Sequence, residues 1–276
     1  MSDLASICRV AGIHSKQPWF VMNADHFFAD LKTDNPSVSH FYSFQSGASA
    51  DSTIAVPDGC IDLLFDCDSE APSATVCGTT LEAKVVQFHK NRRYFGVRFL
   101  PGTFPDFLDT TATEVIDKQC DLKDIMKGAS RLIDDISTAN SFVEQVSIIK
   151  GFLSKKQARA SNLTTQLVAK ICQHQGNIQI QDLVEYSGYT ARTLERKFKD
   201  DIGLTPKGFS RAIRCQSAIY HINHQQDFTF GGLAFDLGFS DQSHFLREFK
   251  KLVSATPLEF QNQVKQTTYH DRIHTY

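Results

Sequence analysis

GYTARTLERKFK (residues 188–199) and GFSDQSHFLREFK (residues 238–250) repeat one pattern about fifty residues apart. Each opens on glycine, an aromatic and a hydroxyl residue, passes through a short polar run and closes on Arg-x-Phe-Lys. In the first copy Leu194, Phe198 and Ile202 recur every four residues and define one apolar helix face. Arg192, Arg196 and Lys199 fall at i, i+4 and i+7 on another face. In the second copy Phe245, Phe249 and Val253 form the apolar face, and Ser243, Arg247 and Lys250 form the matching stripe. The stripes coincide at an offset of fifty-one residues. Thr190 and Ser240 stand where a helix N-cap is wanted, directly after Gly-aromatic. Gly188 and Gly238 suit the tight turn between two helices.

Around these copies residues 163 onward read as helical throughout. The stretches 164–175, 180–187 and 190–202 make three helices, and 205–225 makes a long one with Thr205 as N-cap and Pro206 at its first position. The stretches 230–238, 240–253 and 257–265 follow, and 267–276 has no period. This is the layout of two helix-turn-helix units joined by one helix. A recognition helix enters the major groove with its N-terminal residues toward base edges. Arginine pairs with guanine O6 and N7, glutamine with adenine, and lysine holds phosphates. Two such helices reach successive major-groove segments roughly 34 Å apart. The alternative for one stripe is a solvated helix face; the repeat in register argues for double-stranded DNA as partner.

The first half differs. Residues 39–46, 52–58, 60–67, 81–90 and 93–100 are short runs rich in β-branched and aromatic residues, separated by turn residues such as Gly47, Pro57-Asp58-Gly59 and Pro101-Gly102. Such spacing predicts a barrel or sandwich rather than alternating strand and helix. Residues 130–156 return to a helical period, either as a dimerisation surface or packed on the strands. Asp58, Asp62 and Arg98 are the candidate effector contacts; the structural alternative is a turn for Asp58 with Gly59 and an ion pair for Asp62 and Arg98, which fall within strands.

Composition sets bounds. The 276 residues are 41% hydrophobic and 22% charged, ordinary for a globular chain with two cores. Residues 1–161 carry 16 Lys and Arg against 20 Asp and Glu, and residues 162–276 carry 13 against 11. The sign suits a DNA module on an acidic partner but decides nothing alone. Seven scattered cysteines with no C-x-x-C pair read as buried thiols in a reducing compartment. His14, His26, His40 and His89 lack the H-x-H spacing of a metal-bearing cupin, so neither a metal nor a cofactor is expected. No apolar run approaches the roughly 20 residues of a membrane span. MSDLASICRVAGIHSK lacks the apolar core of a secretion signal, so a cytoplasmic location is expected.

Residues 165–262 resemble the DNA-binding domain of the AraC/XylS family of transcription regulators, most closely in DLGFSDQSHFLREFKKLVSATPLEF (236–260). The resemblance implies asymmetric binding of promoter DNA. It places Arg192, Glu195, Arg196 and Lys199 on the first recognition helix and Gln242, Ser243, His244, Arg247 and Lys250 on the second. Two departures stand out. Gly231-Gly232 sit where a helix begins, at roughly 1 kcal/mol each in a helix interior, and Ser254 replaces a helix-ending glycine. VPDGCIDLLF (56–65) and FGVRFLPGTFPDFL (95–108) resemble an uncharacterised N-terminal domain found in a subset of these regulators.

The expected fold is therefore α+β in two domains: a β-rich barrel or sandwich, cupin-like, with helices, and an all-α domain of two helix-turn-helix units. Residues 1–155 form the sensing or dimerisation domain with its helical connector, 156–164 a linker, 165–262 the DNA-binding domain and 263–276 a flexible tail. The expected protein is a non-enzymatic, effector-responsive regulator, with RNA polymerase and a second copy as further partners. The alternatives are an effector-independent regulator whose first domain only dimerises, and a cupin-type metalloenzyme with a helical appendage.

Overall fold

The computed structural model describes residues 16–30, 33–47, 52–156, 158–159, 161–225 and 227–275. Helix α1 (Pro18–Asn23) begins on a proline, whose missing N–H costs nothing in a first turn. Strands β1 (Ala24–Asp30), β2 (Val38–Ser46), β3 (Ser52–Ala55), β4 (Asp62–Asp66), β5 (Ser73–Cys77), β6 (Lys84–Gln87), β7 (Arg93–Phe99) and β8 (Phe104–Pro105) follow. Next come α2 (Ala112–Val115), β9 (Gln119–Asp121), α3 (Leu122–Ile125), α4 (Ala129–Thr138), α5 (Phe142–Leu153) and β10 (Ala158–Arg159). The helical part holds α6 (Asn162–Gln173), α7 (Ile180–Ser187), α8 (Ala191–Ile202), α9 (Pro206–His224), α10 (Phe230–Asp236), α11 (Gln242–Val253) and α12 (Pro257–Gln266), and then β11 (Ile273–Thr275).

Seven strands join in the order β11-β1-β2-β7-β4-β5-β9. The β-rich and helical halves are as expected; among the described residues the strand order of the sheet runs open from β11 to β9. Strands β3 and β6 pair apart from it as a two-stranded ribbon.

Alternation along the central strands gives the sheet two apolar faces. Phe41, Leu63, Phe65, Phe95, Val97 and Phe99 pack on one side against α4 and α5, through residues such as Leu132, Ile136 and Ile149. The helical pair read at 130–156 thus covers the sheet. Tyr42, Phe44, Leu64 and Tyr94 point to the other side. There they share one core with Trp19 of α1 and with Ile219, Phe249, Val253 and Phe260 of the helical half. Each buried aromatic or aliphatic side chain contributes roughly 1.5–3 kcal/mol, so the two halves stabilise one another. A further cluster, including Leu167, Leu183, Leu194, Phe198 and Phe209, belongs to the first helix-turn-helix unit.

Of the stretch 263–276, expected as a flexible tail, the described residues 263–275 are not free. Helix α12 runs to Gln266, Tyr269 is 5% exposed, and Arg272 Nη1 donates to the Ala24 carbonyl at 2.6 Å. Ile273 pairs with Phe27, adding β11 in parallel to the β1 edge. A three-residue strand held by backbone bonds to a distant partner leaves no periodicity in the sequence. The stretch read as a linker contains β10, which pairs with β8.

Candidate nucleic-acid interface

Helices α7 and α8 form the first unit. Gly188 ends α7 in the left-handed region at φ 72°, and Thr190 caps α8 by accepting from Thr193 N. Leu194, Phe198 and Ile202 are buried, which turns Arg192, Glu195, Arg196 and Lys199 outward, all four exposed.

Helices α10 and α11 form the second. Asp241, not Ser240, is the N-cap of α11: its carboxylate accepts from His244 N at 2.7 Å. That amide, with the Ser240 hydroxyl, holds the Asp241 carboxyl below the usual range. The cap one residue later explains why the helical faces match at an offset of fifty-one while the glycines match at fifty. Phe245, Phe249 and Val253 are buried, and Gln242, Ser243, Arg247 and Lys250 are exposed. His244 leaves that stripe: it is half-buried, its Nδ1 is 3.1 Å from Ser240 Oγ, and its ring meets Phe239 edge-on. Gly231 and Gly232 lie in the first turn of α10, where Thr229 accepts from Gly232 N. First-turn amides have no intrahelical partner, so the interior penalty expected for these glycines does not apply.

Helix α9 joins the units with cations that the stripes did not reveal. Arg214 donates to the carbonyls of Gly176, in the loop that leads into α7, at 3.0 Å and of Gly238, in the turn between α10 and α11, at 3.5 Å. Arg211 Nε donates to Glu248 of α11 at 2.6 Å. The sequence signal was two arginines three apart in the middle of a long helix.

The sheet half holds the C-terminal ends of both recognition helices. Thr113 Oγ1 donates to Lys199 O at 3.1 Å, and a Cβ on Gly203 would lie 2.6 Å from Ala112 O, so only glycine lets α2 approach α8. Trp19 Nε1 donates to Val253 O at 2.9 Å, and Ala83 N to Lys251 O at 3.2 Å. Lys251 also pairs with Glu82 at 2.7 Å. Val253 and Lys251 lie in the last turn of α11, whose carbonyls have no onward partner in the helix, while Lys199 O accepts from Thr113 in addition to Gly203 N.

Asp58, Asp62 and Arg98 come together on the sheet face turned to the helices. Arg98 grips Asp62 with Nε and Nη2 at 2.9 and 2.6 Å and reaches Asp58 with Nη1 at 2.9 Å. Tyr42 donates to Asp62 at 3.1 Å, with its ring over Gly96, where a Cβ would fall inside it. Gln17 donates to Asp58 at 2.6 Å. Burial pushes the Asp58 carboxyl up from its ordinary value, although Arg98 pulls the other way. Burial also works against the Arg98 charge, but Asp62 and Asp58 outweigh it and keep the guanidinium protonated. All three residues line a cavity of about 250 Å³. Among the described residues no group of three or more His, Cys, Asp or Glu is placed to hold a metal. No described helix is long and apolar enough to cross a membrane.

This geometry defines a paired helix-turn-helix module seated on a β-rich domain. Residues 183–263 match the family model of a helix-turn-helix domain, and residues 35–121 match a domain of unknown function (DUF6597). The chain thus carries an AraC-type helix-turn-helix domain behind a DUF6597 domain. An uncharacterised HTH-type transcriptional regulator of Haemophilus influenzae is 27% identical over 122 residues, 44% of this chain and 40% of that protein. The HTH-type transcriptional activator RhaS of Mannheimia succiniciproducens is 32% identical over 82 residues, 30% of each. The chain thus spans well under half the length of these relatives. Among solved structures, ToxT from Vibrio cholerae is similar over 81% of this chain and 94% of its own, at 12% identity and a TM-score of 0.42.

Proposed function

We propose that the chain is a sequence-specific, effector-responsive transcription regulator that binds promoter DNA in the cytoplasm and does no catalysis of its own. The observation that carries this reading is the pair of exposed stripes on α8 and α11, each backed by a buried face and held by common supports. In this reading Arg196 and Arg247 contact bases or phosphates, and Arg192, Lys199 and Lys250 hold phosphates. Gln242 and Ser243 read base edges, and Glu195 accepts from cytosine N4. His244, turned to Ser240, positions the start of α11. RNA polymerase and a second copy of the chain are the further partners. The cavity beside Asp58, Asp62 and Arg98 is the effector site.

Gel shifts on the gene's own and neighbouring promoters test the reading. Arg196→Ala together with Arg247→Ala should abolish the specific shift, each change costing about 1–3 kcal/mol if its arginine pairs with a base. Unchanged affinity in the double variant removes these helices as reading heads. The first head has more cations and should supply more of the salt-dependent affinity. Arg196→Ala should therefore flatten the salt slope more than Arg247→Ala.

A further inference from the structure

We propose that the cavity beside Arg98 takes a small protonated amine with an apolar body, and that its occupant shifts both recognition helices through the cavity's own walls. The inference rests on the regulator reading above and names the ligand class and the coupling route.

The ligand class follows from the floor. Asp58, Asp62 and Arg98 are 3%, 7% and 2% exposed, so two carboxylates face one guanidinium away from water. A buried charge in excess calls for a counter-charge. At the rim Lys84 is matched by Asp117, and Lys118 is exposed to solvent that screens it. A second feature points the same way. Thr80 lines the cavity at 9% exposure, and its hydroxyl has no hydrogen-bond partner. An ammonium offers three donors, enough for that hydroxyl and the remaining lone-pair capacity of Asp62. Phe20, Leu64 and Val86 provide the apolar wall for its body.

The coupling follows from what else the walls hold. Gln17 and Phe20 line the cavity, and Trp19 between them donates to Val253 at the end of α11. Strand β6 lines it, and the residues just before that strand, Glu82 and Ala83, hold Lys251 of α11. Asp117 and Lys118 line it, and Thr113, on the short helix just before them, holds Lys199 of α8. Val56 and Asp58 line it, and Pro57 O accepts from Gln216 of α9 at 2.8 Å. An occupant that moves any of these walls moves a support of one reading head or of the helix between them.

The test uses the full chain and a panel of primary amines with apolar bodies of roughly four to ten carbons, a size suited to a small pocket. Each amine is paired with the alcohol and the carboxylate of the same skeleton. At least one amine should raise the melting temperature with concentration. Its alcohol and carboxylate should not, and DNA affinity should change about five-fold or more in its presence. Val86→Phe, which fills the cavity, should abolish the melting shift, and the milder Thr80→Val should weaken it. An equal shift with the carboxylate overturns the ligand class, and a shift that survives both variants puts the amine elsewhere. A melting shift without a change in DNA affinity overturns the coupling. Silence from every amine overturns the proposal, while DNA binding by the unliganded chain still stands or falls on the arginine variants.

Discussion

Ser254 shows how one residue sets a local strain. It ends α11 in the left-handed region at φ 65°, with its N–H donating to Lys250 O at 2.9 Å. A Cβ is disfavoured there by about 1–2 kcal/mol, and glycine carries none. Ser254→Gly should therefore stabilise the protein by about 1 kcal/mol in urea unfolding; an equal or lower midpoint would show that the strain is relieved elsewhere. Residues of this kind were legible in the sequence, because a cap or a terminal glycine acts on its own neighbours. The outward stripes were legible for the same reason: Leu194, Phe198, Phe245 and Phe249 fix which face is left over. The cap of α11 was misplaced by one residue because Ser240 and Asp241 are both good caps, and only the offset of fifty-one distinguished them. Asp62 and Arg98 were legible as a pair in strands, but not as the floor of a cavity, which depends on which sheet face the helices cover.

Between elements, the Arg211–Glu248 pair ties the long helix α9 to the second recognition helix. The hydrogen bond from Arg211 holds the Glu248 carboxyl below its ordinary value of 4.5. A depressed folded value means the contribution is complete above the unfolded value and is lost as pH falls through the folded one. The side chains are 34% and 24% exposed, so solvent limits the pair to about 1 kcal/mol. Glu248→Gln should lower stability by about that much at pH 7 and by less at pH 3, as read from urea midpoints at both pH values. An equal loss at both would mean that packing, not charge, sets the effect. The pairing of elements was far less legible than the elements themselves. Trp19 and Val253 lie 234 residues apart, and nothing local to either announces the other.

On the scale of the whole molecule, the sheet and the helices share a core instead of meeting at a thin seam. Trp19, the single tryptophan of the sequence, is 8% exposed within that core. Its fluorescence and the far-ultraviolet circular dichroism of the helices should therefore change in one coincident transition on denaturation. Two resolved transitions would show that the halves unfold separately. The β11 strand has a consequence of another kind, for the order of events on the ribosome. Residues of β1 emerge early, but the strand that covers their outer edge lies beyond all seven helices described in the helical half. Multidomain chains commonly fold from the N-terminus during synthesis. Here the nascent sheet must keep a bare edge, open to pairing with another chain, until Ile273–Thr275 have been made and released. Conditions that slow elongation should therefore favour misassembly at that edge.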